Sequence, residues 1–188
     1  RAIQGASEIS VWGYSLGGRL LMTTLIENSQ LQKIKKNVYI QSASPGLATA
    51  KDRAQRLSQD QKLFERLDPK VSAEEFYQKW YTQKLFGNLW QNEQWREYIY
   101  KQHSHNWSER RHHFQVVLNH LSVGHQPNLW EQLWKLPVDR HFLYGKQDYK
   151  YRDQLIQAAK ASDSPIKVFD GAHALHQESP KDLAKYIL

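Results

Sequence analysis

The segment Gly13-Tyr14-Ser15-Leu16-Gly17 sets a serine between two glycines at the spacing G-x-S-x-G, with a β-type run before it and a helical pattern after it. A serine on such a sharp strand-to-helix turn exposes its hydroxyl for nucleophilic or basic chemistry. Small residues are expected two positions away on both sides, because Cβ atoms there would crowd the turn. The N–H of Leu16 is expected at the positive end of the following helix, beside the hydroxyl, as a donor to a developing oxyanion. The competing reading is a glycine-bearing tight turn with an incidental serine.

A serine of this kind needs a base, and the base needs an orienting acid. In Tyr144-Gly145-Lys146-Gln147-Asp148, Asp148 comes just past a strand-type run, and in Asp170-Gly171-Ala172-His173, His173 comes just past another. Ser15, Asp148 and His173 therefore follow the chain order Ser, Asp, His, each at the C-terminal end of a strand. A turn-capping role competes for Asp148, and a surface-loop role for His173. His176 rivals His173 but falls in the helical turn that follows, whereas His173 comes directly after the Gly-Ala turn. Asp170 rivals Asp148 but lies too close to the His loop. His103, His105, His112, His113, His120 and His125 form no H-x-x-x-H or H-E-x-x-H pair with a helical carboxylate, and the chain has no Cys, so no metal site is expected.

These residues need a framework to hold them. Glu8–Trp12 alternates and reads as a strand, and Arg19–Glu27 as a helix with an apolar face of Leu20, Leu21, Thr24 and Leu25. Asn37–Gln41 is a second strand, ended by Ser44-Pro45-Gly46. Strand, helix, strand at this spacing predicts a βαβ unit in a parallel sheet. From Leu47 to Val123 the chain turns polar, nearly free of Gly and rich in aromatics, with no strand signal. Several short helices are expected there, with a break at Asp68-Pro69 and a capping box at Ser72 and Glu75. The framework resumes with a strand over Arg140–Tyr144, a helix over Tyr151–Lys160 and a strand over Ile166–Phe169. Ser179 as N-cap and Pro180 at the first helical position open the last helix.

The 188 residues, with 40% hydrophobic and 24% charged, suit one globular domain and exclude a generally disordered chain. Seven Trp, ten Tyr and six Phe supply bulk for a core. No stretch approaches the ~18–20 consecutive apolar residues of a membrane span, so no membrane insertion is expected. The net charge of +7 invites a nucleic-acid reading, but 26 basic residues are spread among 19 acids, and the densest cluster, Lys33-Ile34-Lys35-Lys36, reads as a solvated helix end. No nucleic-acid partner is expected; an anionic small-molecule substrate fits the charge better.

Together these residues resemble the α/β-hydrolase fold and, more closely, the 2-succinyl-6-hydroxy-2,4-cyclohexadiene-1-carboxylate synthase family of menaquinone biosynthesis. The similarity covers most of the chain. Gly13 to Arg19 resembles that family's elbow, in which an Arg four residues after the serine is more specific than G-x-S-x-G itself. Pro45-Gly46-Leu47 with Arg53–Arg56 is similar to its approach to the lid, Trp80-Tyr81 with Phe86 to its aromatic lid helix, and Gln126–Leu129 to its return to the core. Gly145 with Asp148, and Gly171-Ala172-His173 through His176, Glu178 and Pro180, are similar to its acid and His loops.

The resemblance implies an α/β fold with a mostly parallel sheet flanked by helices, a core formed by 1–45 and 126–188, and a helical lid insertion over 46–125. It implies Ser15, Asp148 and His173 as catalytic residues, Arg19 and Arg56 as carboxylate-binding guanidiniums, Tyr14 and Trp80 as pocket walls, and Lys101 near a position where the family carries an arginine. It implies a cytoplasmic lyase, monomeric or homodimeric, that takes a polyanionic small molecule and eliminates pyruvate with no cofactor and no metal. The family begins with several strands and an H-G-x-x-G-type loop giving a second oxyanion donor, and neither occurs in this sequence. The chain is expected to match the C-terminal two-thirds or so of such an enzyme and to be catalytically incomplete by itself. Another serine α/β-hydrolase (an esterase, thioesterase or C–C bond hydrolase) shares the triad, and a hydrolase-like binding scaffold shares the fold.

Overall fold

Four short β-branched and aromatic segments pair side by side in chain order, all parallel: β1 (Val11–Tyr14), β2 (Val38–Gln41), β3 (Arg140–Gly145) and β4 (Ile166–Phe169). This is a computed structural model, and it describes residues 9–28, 37–65 and 70–188, apart from the side chains of Phe64, Glu65 and Ser162. The expectations for Glu8, Lys33–Lys36 and Asp68-Pro69 lie outside the described residues.

Between the strands run α1 (Leu16–Glu27), then a helical segment, then α6 (Trp130–Trp134), and between β3 and β4 α7 (Tyr149–Ser162). The chain ends in α8 (Leu175–Glu178) and α9 (Pro180–Ile187). Side chains two apart along a strand share a face, and the sheet uses both faces. Val38, Ile40, Phe142 and Tyr144 join Met22, Leu25, Leu133 and Leu155 in one apolar cluster. The alternate residues Tyr39, Leu143 and Phe169 join Leu175 and Leu183 in the other. β2 lies between β1 and β3 with both of its faces covered, so it is buried at all four positions, three of them apolar and the last the polar Gln41.

The strand and helix types match the sequence reading, with three corrections. β1 extends through Gly13 and Tyr14, and α1 starts directly after Ser15 rather than at Arg19, so the turn is a single residue. The buried stripe of α1 is Gly18, Met22 and Leu25, while Leu20 is 48% exposed and Thr24 faces solvent, because the helix packs through Gly18 against Ala43. Ser179 precedes Pro180 as expected, but its side chain makes no cap bond; its hydroxyl donates to the Asp170 carbonyl instead.

The chain divides into two compact units, one formed by the chain up to Pro45 together with Asn128–Leu188, the other by Gly46–Pro127. Among its described residues the second unit holds α2 (Ala50–Glu65), α3 (Ala73–Tyr81), α4 (Glu93–His103) and α5 (Trp107–His120), with single 3-10 turns at Lys84–Phe86 and Leu89–Gln91, and no strand. The Ser72 hydroxyl accepts the Glu75 N–H (3.1 Å), and Asn92 caps α4 in the same way (3.0 Å to the Trp95 N–H). Aromatic rings fill its centre: Phe76 lies 4.9 Å from Phe114, and Tyr81 meets the Trp95 ring edge-on at 4.2 Å.

Candidate active site

Parallel pairing brings the C-terminal ends of the strands to one edge: Tyr14 is in register with Gln41, Gln41 with Leu143, and Gly145 with Phe169. The residues singled out in the sequence leave the sheet at that edge. Ser15 follows β1 with φ 50° and ψ −114°, a left-handed conformation that costs a non-glycine residue about 1–3 kcal/mol. Its N–H donates to the Gln41 carbonyl (2.9 Å), and its own carbonyl accepts the Arg19 N–H (3.1 Å), so strand and helix bind it from both sides.

The elbow glycines are needed, but not the pair expected. A Cβ on Gly13 would stand 2.7 Å from the Gly18 Cα, and one on Gly18 would stand 2.6 Å from the Ala43 Cβ. A Cβ on Gly17 would meet nothing within 4 Å. The tight contact is thus Gly13 on Gly18, where β1 and α1 cross, and Gly17 points outward.

His173 Nε2 lies 2.9 Å from Ser15 Oγ, and His173 Nδ1 lies 3.0 Å from Asp148 Oδ2. With a neutral imidazole the arrangement has one proton assignment: Nδ1–H donates to the carboxylate, and Nε2 accepts the serine O–H. Asp148 is fully buried and His173 is 2% exposed. Although Asp148 precedes α7, its side chain makes no cap bond there; it goes to the imidazole. The acid and His loops touch where β3 ends. A Cβ on Gly145 would lie 2.2 Å from the Ala172 carbonyl oxygen, so only glycine fits. The Gln147 N–H donates to the Gly171 carbonyl (2.9 Å), fixing the two loops together.

The rivals lie elsewhere. His176 is ring-packed against Tyr14 (4.6 Å between centroids) and Trp12 (6.1 Å). Burial first, and the His173 charge second, hold its pKa below the usual histidine value. Asp170 is exposed and paired with Lys146 at 2.5 Å.

Tyr14 lies against the His173 ring, 5.0 Å between centroids, and Tyr151 stacks on the ring at 5.0 Å and 23°. Leu16 is the first residue of α1, so its N–H belongs to the first-turn group that has no acceptor within the helix. Arg19 is one turn along α1 and partly buried. The other three expected residues belong to the second unit. Arg56 on α2 donates from Nε to Asp60 Oδ1 (2.8 Å), and Asp60 Oδ2 accepts the Ser122 hydroxyl (2.6 Å). Trp80 stacks on Phe76 (5.9 Å, 21°) and lies 6.2 Å from Phe114 as part of the aromatic cluster. Lys101 is exposed in the last turn of α4.

Two residues around the triad escaped the sequence reading as parts of a site. Gln41, fully buried at the end of β2, accepts the Trp12 indole N–H (3.1 Å) and donates to the His173 carbonyl (3.3 Å). The sequence places Tyr151 only at the start of a helix. A glutamine in a strand and a tyrosine in a helix carry no local signature of such roles. Among the described residues, no group of His, Cys, Asp and Glu could hold a metal ion.

A parallel sheet with helices on both faces, a strained serine between strand and helix, and Asp and His after later strands define the α/β-hydrolase fold, and this chain has it. No protein-family model matches it. Within that fold the chain is a homologue of proteins named 2-succinyl-6-hydroxy-2,4-cyclohexadiene-1-carboxylate synthase. It is 28% identical over 186 residues to that of Pectobacterium atrosepticum, covering 98% of this chain and 68% of the relative. It is 30% identical over 168 residues to that of Salmonella newport, covering 89% and 62%. In three dimensions it is similar to MenH from S. aureus, with a TM-score of 0.79 at 24% identity over 96% of this chain and 66% of that one. The chain thus spans about two-thirds of the length of these relatives.

Proposed function

We propose that this chain carries the catalytic residues of a menaquinone-biosynthesis lyase, one that eliminates pyruvate from 2-succinyl-5-enolpyruvyl-6-hydroxy-3-cyclohexene-1-carboxylate. The observation that carries the reading is the unbroken hydrogen-bonded line from Ser15 through His173 to Asp148, in a homologue of the synthases. Ser15 Oγ, its proton drawn to His173 Nε2, removes the proton α to the succinyl carbonyl. Asp148 holds the imidazole in the required tautomer and stabilises its cation. The electron pair passes into the carbonyl and then expels the enolpyruvyl group, and the proton held by Ser15 and His173 returns to the leaving pyruvate. The reaction is an elimination and needs neither water nor an acyl-enzyme.

The enolate develops charge that the Leu16 N–H is suited to receive, and one such donor is worth about 2.7–4 kcal/mol in acyl transfer. Arg19 and Arg56 are the proposed clamps for substrate carboxylates, because a guanidinium matches a carboxylate with two parallel bonds. Tyr14 and Trp80 are the proposed pocket walls. Lys101 is the weakest member of the set: it cannot make the planar bidentate contact of an arginine. The helical unit Gly46–Pro127 is the proposed lid. Among the described residues no helix is long and apolar enough to cross a membrane, which agrees with a proposed cytoplasmic setting.

The test is pyruvate release by the full-length protein from the enolpyruvyl substrate, beside its hydrolysis of a p-nitrophenyl ester. Pyruvate release abolished by Ser15→Ala and His173→Ala, and weakened by Arg19→Ala through a raised KM, is the expected result. Fast ester cleavage without pyruvate release would assign the site to an esterase instead.

A further inference from the structure

We infer that Glu178 is a positioning residue for His173, acting by holding the backbone immediately before it. His173 sits in a loop between β4 and α8, where no ladder or helical turn fixes its backbone. The Glu178 carboxylate reaches back six residues, and its Oε2 accepts the Ala172 N–H at 2.9 Å. The carboxylate therefore holds the N–H of the residue immediately before His173. The carbonyl of His173 itself accepts from Gln41 (3.3 Å), so two side chains, one half-buried and one buried, tie the peptide groups on either side of residues 172–173. Rotation of any of these peptides would swing the imidazole off the 2.9 Å and 3.0 Å contacts on which the triad depends.

The environment of the carboxyl fits this role. Burial raises its pKa, the bond from the Ala172 N–H opposes the rise, and the nearby Asp148 charge adds to it. Glu178 thus shares the electrostatic surroundings of the triad without touching the reacting atoms. The loop packs closely on this side chain: a Cβ on Gly171 would stand 3.1 Å from the Glu178 Cβ and 3.3 Å from its Oε2. The inference rests on the triad reading of Ser15, His173 and Asp148, but not on any particular substrate.

The test compares Glu178→Ala, Glu178→Gln and Glu178→Asp in the intact protein, with the labelling rate of Ser15 by an alkyl fluorophosphonate as the readout. Pyruvate release is followed in parallel, and circular dichroism checks the fold. Glu178→Ala is expected to slow labelling by about 10- to 100-fold and to lower kcat by a similar factor with KM little changed. Glu178→Gln keeps the reach and an accepting oxygen, and is expected within about threefold of the parent. Glu178→Asp keeps the charge but withdraws the carboxylate by one methylene, and is expected to slow labelling by about tenfold. Should the alanine variant not fold, the Gln and Asp variants still decide. Asp near the parent with Gln impaired would mean that charge, not reach, acts, and would overturn the inference. So would Glu178→Ala labelled within about twofold of the parent, or a parent that does not label at all. A parent that labels but releases no pyruvate fails the substrate proposal alone and leaves the clamp standing.

Discussion

His173 and His176 lie three residues apart in opposite surroundings. One ring is hydrogen-bonded at both nitrogens to Ser15 and Asp148, and the other is packed among Tyr14 and Trp12. His173→Ala is expected to lower kcat/KM by about 10³-fold or more, as triad removals do. His176→Gln is expected to stay within about tenfold, since it perturbs only the packing of Tyr14. Equal losses in the two variants would return the base to His176. The same contrast gives a pH dependence of stability. The His176 pKa is lowered in the folded chain, so as pH falls below about 6.5 the unfolded chain takes up a proton that the folded one resists. Its contribution to stability is present at neutral pH and is lost on acidification through that window. Urea midpoints measured between pH 7.5 and 5.5 should fall less steeply for His176→Gln than for the parent. At this scale Ser15, Asp148 and His173 were legible because each stands beside a turn signal at the end of a strand-type run. Gln41 was not, since its partners are distant in the chain; Glu178 was marked by the resemblance as part of the His loop, but its role was not legible, because the group it binds is a backbone N–H.

The elements that hold the site meet through absent side chains. At the elbow, Gly13 and Gly18 let β1 and α1 cross, and Gly145 lets the end of β3 pass under the His loop. Gly13→Ala and Gly145→Ala force backbone against backbone and are expected to cost about 1–3 kcal/mol or more. Gly17→Ala enters open space in a helix and is expected to stabilise by about 0.5–1 kcal/mol, through the lower entropy of the unfolded chain. Thermal unfolding of the three variants checks the order; a Gly17→Ala variant less stable than the parent would revive the crowding expected from G-x-S-x-G alone. The strands were legible from alternation and β-branching. The packing face of α1 was not: its residues at 18, 22 and 25 include a glycine, which a search for large apolar side chains passes over in favour of Leu20.

For the molecule as a whole, a net charge of +7 and the proposed polyanionic substrate predict a salt-sensitive association. The Debye length shrinks from about 30 Å at 0.01 M to about 8 Å at 0.15 M, so KM for the enolpyruvyl substrate should rise across that range while kcat holds. Arg19→Ala and Arg56→Ala are each expected to raise KM by about 10- to 100-fold, the scale of a charged hydrogen bond. Lys101→Ala should change it by less than about threefold, as befits an exposed charge. An Arg56→Ala variant with unchanged KM would remove the helical unit from substrate binding. The division of the chain into an alternating framework and an aromatic helical segment is visible as a change of texture near residue 46, because glycine and β-branched alternation stop there together. How Arg56 is held was not visible: its partner Asp60 could be read one helical turn on, but Ser122, which completes the network, is 62 residues further along.

The backbone of Ser15 has one more implication. A residue at φ 50° and ψ −114° is tolerated in this serine only because the Gln41 carbonyl and the Arg19 N–H hold it there. Glycine would occupy the same conformation without strain. Ser15→Gly should therefore melt at a higher temperature than Ser15→Ala, and not below the parent, while being inactive. The strain belongs to the Cβ that any reactive side chain at this turn must have, so a screen for thermal tolerance alone would favour glycine over the serine proposed to carry the chemistry.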